Sequence, residues 1–366
     1  MRGMPVLSLR TLNRTVMQRQ FLSEHTTRAP FEVIEHLVAL QAQEPNWPYV
    51  GLWTRVAGFG HADLTALFED RRVVRGSLLR TTQHLASGDD YSWVRPAVQP
   101  ALDRTMQSAY FTRGTGGLDA AKVAEVGGRM LAAEPMVRRQ LGKRLGEHFP
   151  GVNTAVLAGL VQLRLAVIHP PPNGTWGGWG NRAETPVTLA EAWLGKPLQR
   201  KADLPRLVRR YLAAFGPASI ADLQAWSGLT RLRGTVVGMR DELRVYRGEG
   251  SKELFDLPDA PLADPETPVP PRFLPGYDNL LVGYADRSRV LDEAYRKQVT
   301  PGQAVVRPTF LVDGFVQGTW AVVGKAIEIS PFRPLSKVDR AALLAEAELL
   351  RDFVFENTPG AEITFA

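Results

Sequence analysis

A chain of 366 residues, 44% of them hydrophobic, is long enough to bury the cores of two to four domains. It has no cysteine, which excludes disulfides, zinc fingers and a thiol nucleophile; no run of about 18 apolar residues predicts a membrane span, and the N-terminus lacks the apolar core of a secretion signal. The formal net charge is +6, from 44 Lys+Arg against 38 Asp+Glu, and arginine far exceeds lysine, a balance that attracts phosphate but that high-GC genomes also favour.

The first helix is expected over 8–22, with Leu9, Leu12 and Val16 on one side. A second should start at Pro30, carry Val33, Leu37 and Leu40 at helical spacing, and end between Gln41 and Glu44, because Pro45 disfavours helical geometry before it. In the segment Leu40-Gln41-Ala42-Gln43-Glu44-Pro45 an extended exit would put Gln41 and Gln43 on one face. Two neutral amides can hold a water or a sugar oxygen but take no proton at neutral pH; two glutamines at a helix end are ordinarily just solvated. Asp63 should cap a short helix, 64–69, followed by a basic hairpin of strands 71–80 and 81–86 and a long helix, 89–111. Three helices and a hairpin are the order of a winged helix.

A second cycle runs through helices 118–133, 135–146 and 153–163, a strand 164–168, and a Pro/Gly/Trp turn or wing, 169–180. The third has helices 204–215, 219–226 and 230–243 and a hairpin, 244–257. After a Pro/Asp-rich linker, 260–271, the pattern changes to strands: an apolar run 273–284, a hairpin 305–322 turned by Asp313-Gly314, and strands 326–329 and 362–365 flanking a helix 338–353. The expected class is therefore α+β: three tandem winged helices over 1–115, 116–196 and 197–262, and an antiparallel β-barrel-like unit over 263–366.

Basic clusters recur on the successive units: Arg71, Arg72, Arg75 and Arg80; Arg138, Arg139, Lys143 and Arg144; Arg200, Lys201, Arg206, Arg209 and Arg210; and Arg231 to Arg247. Each alone reads as a solvated face; together they read as a phosphate track for duplex DNA. Trp176 and Trp179 are equally consistent with a core clasp and with an apolar wedge on a wing. The six histidines lack metal-ligand spacing, and no phosphate loop, dinucleotide fingerprint or Gly-x-Ser-x-Gly elbow is present, so neither metal nor cofactor is expected.

The segments Leu40–Pro45, Arg80-Thr81-Thr82-Gln83-His84-Leu85, the Trp-Gly stretch leading into Ala192-Trp193-Leu194-Gly195, Leu274–Leu281, Asp286-Arg287-Ser288-Arg289-Val290 and Val312–Trp320 resemble, in this order, the winged-helix DNA glycosylases of the AlkZ/YcaQ type. The resemblance implies a C-shaped DNA cradle of three winged helices and a β-barrel, with catalysis by a Gln-aliphatic-Gln motif in one branch and Gln-aliphatic-Asp in the other. Gln41 and Gln43 match the first branch. Carried over, these two are catalytic, and Arg71, Arg72, Arg75, Arg80, Trp176, Trp179, Arg209, Arg210, Tyr277, Asp286 and Arg287 contact DNA. Where the family's His-x-Asp-Arg segment is expected, this chain has Tyr284-Ala285-Asp286-Arg287. The implied activity is that of a monofunctional glycosylase for bulky alkylpurines, including 7-alkylguanine and interstrand crosslinks, in repair or genotoxin self-resistance; the implied protein is a cytoplasmic, nucleoid-associated monomer acting on double-stranded DNA. A winged-helix transcriptional regulator and a genotoxin-sequestering protein are the alternatives.

Overall fold

The structure, a computed structural model, describes residues 5–115, 117–177, 186–249, 252–302, 305–356 and 358–366. Three sheets organise it, and the class is α+β. In the first half, six short strands lie in the order Leu40–Gln41, Gln83–Ser87, Val73–Ser77, Val167–His169, Pro186–Leu189 and Met136–Val137. The basic hairpin is thus no free wing. Val73–Ser77 pairs on its far side with Val167–His169, so the first two sequence cycles share one sheet. Helices Ala120–Ala133, Arg138–His148 and Thr154–Arg164 pack against each other beside it, the last capped by Asn153 accepting from the Ala155 and Val156 amides.

The third cycle has helices Leu204–Phe215, Ile220–Ser227 and Arg233–Gly238 and a hairpin of Arg244–Gly248 with Glu253–Asp256. The N-terminal strand Val6–Leu7 joins this hairpin in parallel, and helix Leu9–Arg19 follows at once. Arg19 at its end forms a bidentate pair with the buried Asp256, both N–O distances 2.8 Å, which ties the start of the chain to the third cycle. Among the described residues no helix is long and apolar enough to cross a membrane.

Several expected elements are corrected. The second helix stops at His36, not in the Gln41–Glu44 segment. Val38 takes a left-handed φ of +68° and turns the chain into the short strand, where Leu40 is buried as a strand residue. Leu37 and Leu40 thus meet the core from two different elements. Asp63 is not the cap of its helix; Gly60 is, and Asp63 accepts from the Gly60 amide as the third helical residue. The long helix is three, Gly88–Ala97, Gln99–Met106 and Ala109–Thr115, with Pro96 and Pro100 flanking the first break. The apolar run 273–284 divides into a strand, Arg272–Leu274, and a helical turn, Asn279–Val282, separated by Tyr277 at φ +61° and capped by Asp278.

The C-terminal unit is not a barrel. Its five strands, Arg272–Leu274, Thr309–Val312, Phe315–Val323, Ala326–Pro331 and Glu362–Phe365, form an open sheet in chain order. The first and last are its two edges and do not pair. Nor is it wholly antiparallel: Glu362–Phe365 runs parallel to Ala326–Pro331, since the 18-residue helix Lys337–Val354 crosses over between them. That helix buries Leu343, Ala347 and Leu350 against Phe273, Phe310, Trp320 and Ile329 of the sheet.

Candidate active site

Gln41 and Gln43 lie where the Leu40–Gln41 strand leaves the six-stranded sheet. Gln41 pairs with His84 across the antiparallel ladder, and the Ala42 amide donates to the Gln83 carbonyl at 2.8 Å, so the extended chain continues one residue further. Extended geometry turns Ala42 away from its neighbours. Ala42 is fully buried, which explains a small residue in the middle of the motif, whereas Gln43 is exposed. The Gln43 Oε1 receives only a long contact, 3.4 Å, from the Gln83 amide.

Gln41 is 7% exposed, and its carbonyl is occupied. Arg80 Nη2 donates to Gln41 Oε1 at 2.9 Å, while Nη1 donates to the Trp226 carbonyl at 2.6 Å. A guanidinium only donates, so the amide oxygen, not its nitrogen, must face Arg80. Nη2 also lies 3.2 Å from His84 Nε2, which must therefore be the accepting nitrogen. Nδ1 then carries the hydrogen and donates it to the Thr82 carbonyl at 3.0 Å. Burial, reinforced by the Arg80 charge, pushes the His84 pKa down to about 3. Its imidazole is neutral and supplies no acid near pH 7. Burial, with the neighbouring Arg287 charge, lowers Arg80 to about 10, so it stays cationic.

The other side of the motif is held by Arg75. Its Nε donates to the Ala42 carbonyl at 2.8 Å and its Nη2 to the Gln43 carbonyl at 3.3 Å. Nη1 reaches Asn173 Oδ1 at 3.1 Å, and Asn173 in turn meets His169, whose pKa burial pushes down to about 3. Asn46 clasps Gly177 through both amide atoms, and Asn279 Nδ2 donates to the Ala39 carbonyl at 2.7 Å. Arg55 and Asp278, both fully buried, pair at 2.9 Å behind the motif. Segments more than 100 residues away thus fix the backbone on either side of the two glutamines.

The family model for AlkZ-like DNA glycosylases matches residues 34–353. The chain belongs to this family. It is similar to the interstrand DNA cross-link repair glycosylase of Streptomyces sahachiroi, 24% identical over 355 residues, which span 90% of this chain and 92% of that protein. The solved structure of the Streptomyces sahachiroi DNA glycosylase AlkZ superposes with a TM-score of 0.79 at 23% identity, covering 98% of this chain and 99% of that one, and so shares its fold.

Against the AlkZ-like pattern, the expected DNA-contacting residues fall into two groups. Arg71, Arg72 and Arg209 are exposed. Arg71 stacks over Trp193 at 4.3 Å, Arg72 over Phe31 at 3.9 Å, and Arg209 pairs with Glu242 at 2.6 Å. Asp286 is also exposed; its hydrogen bond from Lys252 holds its pKa down at about 2. Arg287 is half-buried, and burial lowers its pKa. Of the rest, Arg75 is buried and Arg80, Arg210, Tyr277 and Trp176 are half-buried, each engaged within the protein. Arg75 and Arg80 serve the motif as described, and Arg210 makes a bidentate pair with the buried Asp90 at 2.7 and 2.8 Å. Tyr277 forms the left-handed turn of the Leu274–Leu281 segment. Trp176 is a clasp: its ring stacks on His61 at 4.1 Å and meets Tyr49 and Phe353 at 5.4 Å. Trp179 lies outside the described residues. Tyr284, in place of the expected histidine, is buried, donates to the Phe215 carbonyl at 2.8 Å and carries Arg289 over its ring.

Sequence reasoning missed His84, Asn46, Asn173 and Asn279. Only His84 left a signal, two places after Thr82 in the family segment; the asparagines show their role only once distant segments are brought together.

Proposed function

We propose that this chain is a monofunctional DNA glycosylase that hydrolyses the N-glycosidic bond of bulky alkylated purines, 7-alkylguanine above all, and that it opens interstrand crosslinks, a reading supported by the similar Streptomyces protein named as an interstrand DNA cross-link repair glycosylase. The observation that carries the reading is the neutral character of the motif: two amides on one extended segment, with the adjoining His84 held deprotonated. Alkylation at ring nitrogen 7 leaves guanine positively charged and already a good leaving group. The protein need only position a water and stabilise an oxocarbenium-like sugar. Undamaged purines, which require protonation to leave, are spared by such a site.

The wider architecture is read as three tandem winged helices, 1–115, 116–196 and 197–262, with the open sheet unit, 263–366, completing a C-shaped cradle for duplex DNA. Helices followed by strands within each stretch support this division. Exposed Arg71, Arg72 and Arg209, with Arg287, are proposed to meet the phosphates, and the enzyme is proposed to act as a monomer in the cytoplasm, at the nucleoid. Incubation with duplex DNA carrying one N7-alkylated guanine tests the function: free base and an alkali-labile site are expected. A sequence-specific footprint without base release would favour a regulator, and affinity for a free genotoxin without DNA would favour sequestration.

A further inference from the structure

Gln41 can turn either end of its amide toward DNA, and the two ends do opposite work. We propose that Arg80 is the positioning residue that decides this: anchored on the Trp226 carbonyl, it turns the Gln41 oxygen inward and presents the Gln41 amide nitrogen to the damaged nucleotide. The inference rests on the function proposed above.

Three observations carry it. Arg80 has only donors, and it spans two fixed acceptors, the Trp226 carbonyl at 2.6 Å and Gln41 Oε1 at 2.9 Å. The opposite amide flip would set N–H against N–H. Among the described residues Gln41 Nε2 has no hydrogen-bond partner, and it is not sealed from solvent.

Second, the turn that carries Arg80 is strained in a way only its surroundings explain. Arg80 at φ +52° and Thr81 at φ +61° occupy the two central positions of a tight hairpin turn closed by Thr82 N donating to the Leu79 carbonyl. These positions favour Asn-Gly, and bulky or β-branched residues persist there where other contacts hold them.

Third, the tip is seated in a socket. Gly228, at φ +76° after helix Ile220–Ser227, lies so close that a Cβ on it would come within 2.9 Å of Arg80 Cα. The same helix end therefore supplies both the Trp226 carbonyl and the space for the Arg80 backbone. An amide whose oxygen accepts from a guanidinium becomes a stronger N–H donor. Gln41 is then the donor of the pair, toward an oxygen of the nucleotide or its water. Gln43, exposed and loosely held, is the acceptor.

The rival role for Arg80 is the one its charge suggests, a phosphate contact. Single-turnover base release from duplex DNA with one N7-alkylated guanine, measured for wild type, R80G, Q41A and R80G/Q41A, separates the two. Duplex affinity is followed across salt in parallel. Glycine suits φ +52°, so R80G should fold. Excision at saturating enzyme should fall ~10- to 100-fold, the scale of a displaced reacting group. The salt slope of binding should not change, and R80G/Q41A should be no slower than Q41A. If R80G does not fold, R80M, which keeps the aliphatic stem, is read in the same way. Wild-type excision by R80G with an impaired Q41A overturns this inference alone. A loss in R80G that adds in full to that of Q41A, with a salt slope smaller by about one, makes Arg80 a phosphate contact. An unimpaired Q41A removes the reading of the motif and this inference with it.

Discussion

Arg80 Nη2 and Gln41 Oε1 meet at 2.9 Å, joining the tip of a hairpin to the strand edge beside it, with the lone pair of a neutral His84 on the same nitrogen. This contact fixes Gln41 in a polar unit, while Gln43 stays exposed. Its consequences differ for the two glutamines and for the arginines around them.

Gln43 is exposed, and among the described residues its side chain makes one long hydrogen bond, 3.4 Å. Gln43→Ala should therefore leave the melting temperature and duplex affinity unchanged while slowing base release ~100-fold, the scale of one lost positioned catalytic group. Gln43→Asp should retain part of the rate, since a carboxylate can hold the same water. Thermal melts beside single-turnover kinetics check both.

The arginines should sort by burial and not by sequence cluster. Arg71→Ala, Arg72→Ala and Arg209→Ala each should lower the slope of log affinity against log salt by about one, with little loss of stability. Arg210→Ala leaves the buried Asp90 carboxylate without its bidentate partner and should cost about 2 kcal/mol, with the salt slope unchanged. Arg75→Met should behave likewise in stability and also slow excision, because the Ala42 and Gln43 carbonyls lose a donor. Denaturant titrations and binding isotherms at four salt concentrations distinguish the two sets.

Acid should destabilise the fold well before it protonates the carboxylates. His84 and His169 are pushed down to about 3 and His25 to about 4, all chiefly by burial. Unfolded, each titrates near 6.5. Below that pH the unfolded chain binds protons that the folded chain does not, so stability is full above about 6.5 and falls as the pH drops toward 4. His84→Gln should flatten this limb by one proton. Excision between pH 6.5 and 8 should not follow an imidazole titration, since His84 is already neutral there. Melting temperature and rate against pH test both statements.

How much of this the sequence carried depends on range. The extended segment at Gln41 is expected from Pro45 but comes from pairing with Gln83–Ser87, whereas the Asp313-Gly314 hairpin follows from its turn residues. The end of the helix before Gln41 did not, because Val38 turns left-handed only under the demand of burial, and Leu40 keeps helical spacing while lying in a strand. Arg75 and Arg80 read as phosphate ligands because sequence records charge but not depth. The socket that takes in Arg80 is Gly228, almost 150 residues later, and Asn279 reaches Ala39 across 240 residues. The barrel failed for a similar reason: the parallel return of Glu362–Phe365 is set by the packing of the helix before it.

The pair Arg55 and Asp278 should hold the C-terminal unit to the back of the motif. Both are fully buried, so Arg55→Ala or Asp278→Ala alone should cost about 3–5 kcal/mol by stranding the other charge. Replacing both with apolar residues should cost less than either. A double-mutant cycle on unfolding free energy checks it.

Release of an alkylated guanine by Gln41 and Gln43, acting through a positioned water, is decided by single-turnover excision from a duplex with one N7-alkylated guanine. Wild type and the Gln41→Ala/Gln43→Ala double variant are run side by side, with borohydride present in a parallel sample. Free base and an abasic site are expected from wild type, no excision above background from the folded double variant, and no protein–DNA adduct. Base release by the double variant at the wild-type rate, or a borohydride-trapped complex, would contradict it.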